Sequence, residues 1–128
     1  MQRILVSSGS PLEPEIGFSR AVRVGNIVTI AGTAPIAAGG SVAAAGDVYG
    51  QCRRCLEIIG EALAEAGSGL EDVVRTRIML TDIEHWREAA RAHGECFREI
   101  GPACTFVEVS RFIDPQWLVE IEADAVVG

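Results

Sequence analysis

The sequence predicts an α+β fold in which two helices lie on one face of a mixed β-sheet. Three features of the 128-residue chain lead to this prediction: a two-residue turn between β-rich runs, two amphipathic stretches on either side of an alternating segment, and two more alternating segments at the end. Strands and helices in this order form one helical layer on one sheet. The length suits a single domain covering residues 1–128.

The composition indicates a folded protein whose partners are neither membranes nor nucleic acids. Hydrophobic residues make up 48% of the chain and charged residues 23%, as in ordinary globular proteins. The apolar runs are too short to cross a bilayer and the N-terminus lacks a secretory pattern, so we expect a cytoplasmic location. The net charge is −7 and all 11 basic residues are scattered arginines, which argues against a nucleic-acid partner.

A β-hairpin is the first predicted element. Gly25 and Asn26 separate the β-rich runs 18–24 and 27–31, and a Gly-Asn pair is a two-residue turn signal. The stretch 35–46 is rich in Ala and Gly and has no periodicity. We therefore expect it to be a loop and the most mobile part of the chain.

The first helix is predicted from Asp47, a possible N-cap, to Gly67, which supplies the stop. Cys52 and Cys55 have CxxC spacing, but both fall on the apolar stripe of this helix, and no second cysteine or histidine pair follows at zinc-finger distance. We expect buried thiols and no metal site. The stripe comprises Cys52, Cys55, Leu56, Ile59, Leu63 and Ala66.

A strand and a second helix follow. Residues 73–80 alternate, which predicts a strand, and Asp82 can cap the helix that comes next. Trp86 is expected to anchor this helix to the sheet. The predicted apolar sides are Val74, Thr76, Ile78 and Leu80 on the strand, and Trp86, Ala90, His93, Phe97 and Ile100 on the helix.

The last two predicted strands, 102–111 and 118–126, each have two chemically different faces. Same-side neighbours lie only about 7 Å apart, so three successive carboxylates on one side repel one another. We expect a mixed face opposite the helices, covered by other copies of the chain in a small ring, a trimer, with arginine–carboxylate pairs across strands and pockets between subunits. The residues assigned to this face are Arg75, Arg77, Met79, Cys104, Phe106, Glu108, Glu120, Glu122 and Asp124.

Three blocks resemble the Rid family, also called the YjgF/YER057c/UK114 or reactive-intermediate deaminase family. They are residues 16–22 (IGFSRAV), 31–35 (AGTAP) and the run from Pro102 onward, and the resemblance extends over essentially the whole chain. It implies a chorismate-mutase-like α+β fold and homotrimers with ligand clefts between neighbouring subunits. It also implies hydrolysis of enamines and imines, such as 2-aminoacrylate, to a keto acid and ammonia without metal or cofactor.

The resemblance also implies site residues. Glu120 matches the family glutamate that orients or activates the attacking water, and Gly32 matches the glycine whose backbone approaches the ligand. Phe18 stands where the family usually has Tyr, so the ring is kept and the hydroxyl is lost. Phe106 completes the expected substrate-binding set. Cys104 stands where the deaminating branch has the arginine that binds the substrate carboxylate, a charge-assisted contact worth about 1.5–3 kcal/mol.

Two interpretations of Cys104 remain open. As a thiol at the mouth of a cleft it can act as a nucleophile, with Glu120 moving protons. It can equally fill the space that an arginine vacated. Glu120 itself is an acid/base group, a solvated strand carboxylate or an interface ion-pair member. Trp117, near a turn at Pro115, is a further candidate for lining a cleft.

The first functional hypothesis is a Rid-like homotrimeric hydrolase or deaminase that acts on a C–N bond of a small imine, enamine or amide, with Cys104 and Glu120 in an intersubunit cleft. The alternative is a non-catalytic trimeric protein that binds a small metabolite or protects against stress. RNA cleavage, a third activity associated with this family, is disfavoured because the chain is acidic and offers no histidine pair in a basic groove.

Overall fold

The computed structural model describes residues 2–128 and confirms the predicted fold class. The strands of this range form a six-stranded sheet in the order β1-β2-β3-β6-β4-β5. The neighbours in this sheet are antiparallel except for β4 and β5, which are parallel. The elements are β1 (Arg3–Val6), α1 (Leu12–Ile16), β2 (Ala21–Val24), β3 (Ile27–Thr33), α2 (Val48–Glu65), β4 (Val73–Leu80), α3 (Trp86–Phe97), β5 (Ala103–Glu108) and β6 (Val119–Val126).

The two long helices cover one face of the sheet. The buried residues of α2 and α3 join those of β3, β4 and β6 in one hydrophobic core. The predicted hairpin is confirmed, with Gly25 in the left-handed region at φ 61°. The stretch 35–46 lacks helix and strand, as predicted, and its only bridge in the described chain joins Ile36 to Val42. Its mobility stays a prediction. β1 and α1 have no counterpart among the predicted elements, because four or five residues are too few to show a period.

Helix α2 begins and ends where the sequence predicts. Asp47 is the N-cap residue, although its side chain accepts no capping hydrogen bond. At the other end Gly67, with φ 79°, donates to the carbonyl of Ala64 at 3.0 Å, and Ser68 donates to that of Leu63 at 2.8 Å. These two bonds form a Schellman motif, which requires a left-handed residue after the C-cap. The prediction of Gly67 as the stop is confirmed.

Strand β4 has the predicted bounds, but the predicted assignment of its residues to the buried and exposed sides fails at its first two residues. Thr76, Ile78 and Leu80 are buried as expected. Val73, however, is buried and Val74 is 49% exposed. The register against β6 shifts between Val73 and Arg75, and this bulge reverses the alternation at the start of the strand.

The predicted apolar stripe of α3 is partly wrong. The buried positions are Ala89, Ala92 and Phe97, whereas Trp86 is 42% exposed. Trp86 does not anchor the helix to the sheet; its ring stacks instead with the guanidinium of Arg87, 4.5 Å from the ring centroid. The close contact with the core is made by two small alanines and Phe97, and the first turn of the helix lies outside that contact.

The register of β5 corrects the predicted mixed face. Cys104, Phe106 and Glu108 pair directly with Thr76, Ile78 and Leu80, whose side chains point toward the helices. Directly paired residues of neighbouring strands point the same way, so these three residues lie on the helix side of the sheet. The open face, opposite the helices, is defined by Arg75, Arg77, Met79, Glu120, Glu122 and Asp124. Arg77 forms the expected ion pair with Glu122.

Candidate functional site

A cavity of about 540 Å³ opens where β3 and β6 meet the N-terminal loop and the side of α2. Its lining brings together Phe18, Gly32 and Glu120, three of the five residues that the sequence analysis assigns to a site. Cys104 and Phe106 are not part of this lining. Trp117, which is 9% exposed, does belong to the lining of the cavity, in agreement with its interpretation as a cleft residue.

A bulge in β3 places Gly32 beside Glu120. Ile30 pairs with Ala123 and Thr33 with Ile121, so two residues of β3 oppose one residue of β6. A Cβ atom added at Gly32 would lie 3.0 Å from Oε1 of Glu120, closer than nearly all Cβ contacts in proteins. The absence of a side chain at position 32 therefore allows the carboxyl group of Glu120 to lie close to the backbone of β3.

Arg20 is the central charged group of the cavity, and the sequence analysis did not assign it. It is 7% exposed, and its Nη1 donates to the carbonyl of Gly32 at 2.7 Å and to Oγ1 of Thr33 at 3.2 Å. Its guanidinium carbon lies 5.3 Å from the ring centroid of Phe18. Within residues 2–128 the enclosed Nε has no hydrogen-bond partner. An unpaired buried donor costs about 1–3 kcal/mol.

Glu13 is the counter-charge behind Arg20. Its Oε2 lies 3.9 Å from Nε of Arg20, too long for a hydrogen bond. Ser7 Oγ donates to Oε1 at 2.8 Å, and the backbone N–H and hydroxyl of Ser8 donate to Oε2 at 3.1 and 2.5 Å. Burial alone would raise the pKa of Glu13, but the serine hydrogen bonds and the charge of Arg20 hold it below its ordinary value. Glu13 is therefore a fixed anion.

Glu120 has the opposite character. Burial raises the pKa of its carboxyl group above the ordinary value, and the charge of Arg20 only partly offsets this. Although both groups lie in the described part of the chain, no nitrogen of Arg20 comes within 4.0 Å of a carboxylate oxygen of Glu120. A half-buried carboxyl group with a raised pKa can give and take a proton closer to neutral pH than an exposed one.

One sequence signal could have pointed to Arg20. It lies in the block 16–22, two residues after Phe18 and directly before β2, whose residues Ala21, Val22 and Val24 are apolar. A charged residue at such a position is buried only if it has partners. Glu13, Ser7 and Ser8 carried no comparable signal, because their turn has no period and their contacts with one another depend on the fold.

Cys104 lies apart from the cavity. It is exposed on the edge strand β5 and pairs with Thr76, whose Oγ1 is 2.8 Å from Nε2 of His93 on α3. Burial lowers the pKa of that histidine. Glu120 lies on the other face of the sheet, so one chain does not assemble Cys104 and Glu120 into a site. A site that contains both residues requires two copies of the chain.

The two helical cysteines are buried thiols, as predicted. Cys52 and Cys55 are both fully enclosed in the core. Burial raises the pKa of Cys52 to about 12 and that of Cys55 well above its ordinary value. Among residues 2–128, no group of three His, Cys, Asp or Glu side chains is placed to hold a metal ion. The helices described in this range are all too short or too polar to span a membrane.

Comparisons with known proteins agree with this architecture. Residues 8–127 match the family model described as Endoribonuclease L-PSP. The crystal structure of Rv2704 from Mycobacterium tuberculosis, described as a member of the YjgF/YER057c/UK114 family, is 47% identical with a TM-score of 0.90, over 98% of this chain and 100% of that one.

Two relatives are similar in sequence over nearly the full length. The protein SCO2049 of Streptomyces coelicolor is 40% identical over 123 residues, 96% of this chain and 91% of the relative. The 3-aminoacrylate deaminase RutC of Acinetobacter baylyi is 32% identical over 124 residues, 97% of each chain.

Proposed function

Because this chain belongs to the Endoribonuclease L-PSP family, which is also the YjgF/UK114/Rid family, we propose that it hydrolyses the C–N bond of a small imine or enamine and releases ammonia. The resemblance noted in the sequence is thus confirmed at the level of the family. The observation that carries the proposal is the Glu120 carboxyl group, half-buried in the cavity with a raised pKa, beside Phe18 and Gly32. The deaminase name of one relative supports the same reaction class.

Glu120 is the acid/base group of the proposed reaction. In its protonated form it gives a proton to the imine nitrogen, which makes the carbon more electrophilic. The resulting carboxylate takes a proton from water as the water oxygen bonds to that carbon. Glu120 then gives that proton to the amine nitrogen and takes the proton of the new hydroxyl group as the C–N bond breaks. Ammonia leaves, the carbonyl forms, and Glu120 is again protonated. Imine and water are thereby converted to a carbonyl compound and ammonia, and no metal or cofactor takes part.

Cys104 joins this site only if a second copy supplies it. We therefore keep the homotrimer as part of the proposal: the open face is covered by neighbouring copies, and a cleft between copies brings Cys104 of one chain toward Glu120 of another. Phe106, next along the same side of β5, would line the cleft with it. Replacement of Cys104 by Ala separates the two interpretations of the thiol, since it abolishes turnover if the sulfur is a nucleophile and preserves it if the sulfur fills space.

The second candidate function is a non-catalytic trimeric protein that binds a small metabolite or protects against stress. The observation in its favour is the exposed Cys104 at the position where the deaminating branch has an arginine. RNA cleavage stays disfavoured, because the cavity holds several carboxylates and the chain carries a net charge of −7.

The test is ammonia release from imines that an amino-acid oxidase generates in the assay. We expect the protein to accelerate keto-acid and ammonia formation, and Glu120→Gln to reduce the rate by at least about 100-fold, the usual contribution of a general acid–base group. Glu57→Gln, a matched change at an exposed carboxylate of α2 outside the cavity, should keep the full rate. No acceleration across a panel of imines, together with saturable ligand binding, would favour the second candidate.

A further inference from the structure

The proposed reaction lacks one part, a cation that binds the carboxylate of an amino-acid-derived substrate. The position that resembles the family arginine holds Cys104, which has no charge to offer at that point. The cavity nevertheless contains two guanidinium groups in the same chain as Glu120, the buried one of Arg20 and the half-buried one of Arg54. Whether Arg20 is free to bind a ligand depends on where each of its donors points.

The three nitrogens of the Arg20 guanidinium are in different situations. Nη1 is occupied by the carbonyl of Gly32 and by Oγ1 of Thr33. Nε is enclosed on the side of Glu13 and has no partner in residues 2–128. Nη2 makes no hydrogen bond to any residue of that range and is not among its enclosed atoms, although Arg20 lines the cavity. Nη2 is thus the donor that a ligand in the cavity can reach.

The charged groups around Arg20 bear on where an anion can bind in the cavity. Glu13 is engaged by serine donors behind the guanidinium and lies on its Nε side. Glu61 and Glu65 line the cavity from α2 together with Arg54, whose Nε donates to the carbonyl of Ile36 at 2.7 Å. The two carboxylates outnumber the one arginine, so this wall attracts a carboxylate less than Arg20 does. Glu120 interacts with Arg20 through its charge, but no carboxylate oxygen of Glu120 lies within 4.0 Å of an Arg20 nitrogen. A ligand carboxylate on Nη2 can therefore have its neighbouring carbon on the side of Glu120.

Apolar residues form a large part of the cavity wall, and the cavity is larger than a three-carbon substrate needs. Phe18 and Trp117 form part of its wall. Ile16 and Ile113, which are 60% and 72% exposed, line it toward solvent. Cavities of several hundred Å³ with apolar walls and a few polar groups bind ligands with a substantial apolar part.

We propose that Arg20 binds the carboxylate of the substrate through Nη2, from the same chain that supplies Glu120, and that the cavity beside it accepts an apolar side chain. This inference rests on the proposed function and assigns its carboxylate-binding residue. The planar fork of arginine suits carboxylate recognition even when one edge is already occupied. Arg20 thereby takes the part that position 104 no longer provides.

The experiment measures binding and so does not depend on turnover. Isothermal titration calorimetry compares 4-methyl-2-oxopentanoate, a stable analogue of the product, with its methyl ester. The wild-type protein should bind the acid at least about 10-fold more tightly than the ester, as expected for one charge-assisted hydrogen bond. Arg20→Met should remove this preference and keep the binding of the ester.

Arg23→Met is the matched control. Arg23 lies in β2, three residues after Arg20, and also donates to backbone carbonyls, those of Gly25 and Ala66, but it is outside the cavity lining. The Arg23→Met variant should bind the acid with an affinity within about 2-fold of the wild-type value, because no ligand contact is lost. If Arg20→Met does not fold, the comparison of acid and ester on the wild-type protein decides, with Arg20→Lys as the charge-conserving variant.

Several results would overturn the inference. They are equal affinity of the wild-type protein for acid and ester, no detectable binding of the acid, a preserved preference in Arg20→Met, and an equal loss of both ligands in that variant, which would mark a purely structural role. Carboxylate-selective binding without ammonia release would refute the proposed deamination and leave the assignment of Arg20 standing. Ammonia release that is unchanged in Arg20→Met would refute the assignment of Arg20 and leave the proposed deamination standing.

Discussion

At the scale of single residues, Glu13 and Glu120 show how the same carboxyl group acquires opposite properties near one arginine, Arg20. Both are removed from water, which raises a carboxyl pKa. Glu13 receives three hydrogen bonds and faces Arg20, and its pKa ends below the ordinary value. Glu120 has the more distant influence of Arg20 alone, and its pKa ends above. One carboxyl group is suited to hold a structure and the other to exchange a proton.

This difference predicts opposite effects of pH on stability. Glu13 has a lowered pKa in the folded state, so its contribution is complete above 4.5, its ordinary value, and is lost as pH falls through the lower folded value. Glu13→Gln should therefore destabilise the protein near neutral pH, and the difference from wild type should shrink in acid. Thermal unfolding between pH 3 and pH 8 measures this difference.

Glu120→Gln is the control of opposite sign. In the wild-type protein the pKa of Glu120 is raised in the folded state, so ionisation of Glu120 weakens the fold as pH rises through and above 4.5. The glutamine variant should therefore gain stability relative to wild type toward neutral pH. A pH profile with the same sign for both variants would contradict the assignment of the two environments.

The four cysteines differ in their access to reagents, which predicts an order of labelling. Cys104 is exposed and Cys96 is half-buried, whereas Cys52 and Cys55 are enclosed and have raised pKa values. Iodoacetamide should label Cys104 first, Cys96 more slowly, and the two core thiols only after unfolding. Mass spectrometry of peptides over time measures the order, and equal labelling of all four would contradict it.

At the scale of elements, the C-terminal end of α2 is fixed by one backbone conformation. Gly67 has φ 79°, and a Cβ there would lie 2.9 Å from Nη1 of Arg23, which itself donates to the carbonyl of Ala66. The helix stop, the hairpin and the arginine are therefore linked. Gly60, in the middle of the same helix, meets only Leu70 at 3.9 Å and has ordinary helical geometry.

Gly67, which follows the end of α2, and Gly60, which lies inside it, should respond oppositely to replacement by alanine. Gly67→Ala should lower the free energy of unfolding by about 1–2 kcal/mol, because a left-handed conformation disfavours a Cβ. Gly60→Ala should raise it by up to about 1 kcal/mol, because alanine is the better helix former and the site has room. Urea denaturation measures both values, and stabilisation by Gly67→Ala would be inconsistent with the observed stop.

At the scale of the whole molecule, the open face is the feature that most needs a partner. Its ion pair between Arg77 and Glu122 is 43% and 35% exposed, so the pair alone contributes only about 0–1 kcal/mol. Apolar residues share this side of the sheet, including Val107, which pairs with Met79, and Leu5, which is 61% exposed. Burial of this surface between copies would exclude water from the ion pair and from the apolar residues.

We therefore predict that the protein sediments as three copies of the 13.6 kDa chain in analytical ultracentrifugation. Val107→Asp should dissociate the assembly, because it places a charge in the covered surface. Ile4→Asp is the matched change at an apolar residue that is 41% exposed and pairs with Arg23 on the other face, and it should leave the assembly intact. A wild-type protein that sediments as a single copy would remove the proposed cleft between copies and the role of Cys104 in it.

Much of this architecture was determined by the sequence alone, because local patterns carry it. The alternation of β4 predicted its bounds, helical spacing predicted α2 and α3, and Gly67 marked a helix end that only a left-handed residue could make. Gly32, Phe18 and Glu120 were assigned through the family resemblance, and the fold brings all three to one cavity.

Only the tertiary structure decided which groups meet. Alternation separates two sides of a strand but does not say which side a neighbour will cover, so the parallel pairing with β4 turned Cys104 toward the helices and away from Glu120. The bulges in β3 and β4 arise from pairing and leave no local pattern. Arg20 and Glu13 come together across a turn without periodicity. The charge centre of the cavity is therefore a product of packing between distant segments, which no single stretch of the sequence contains.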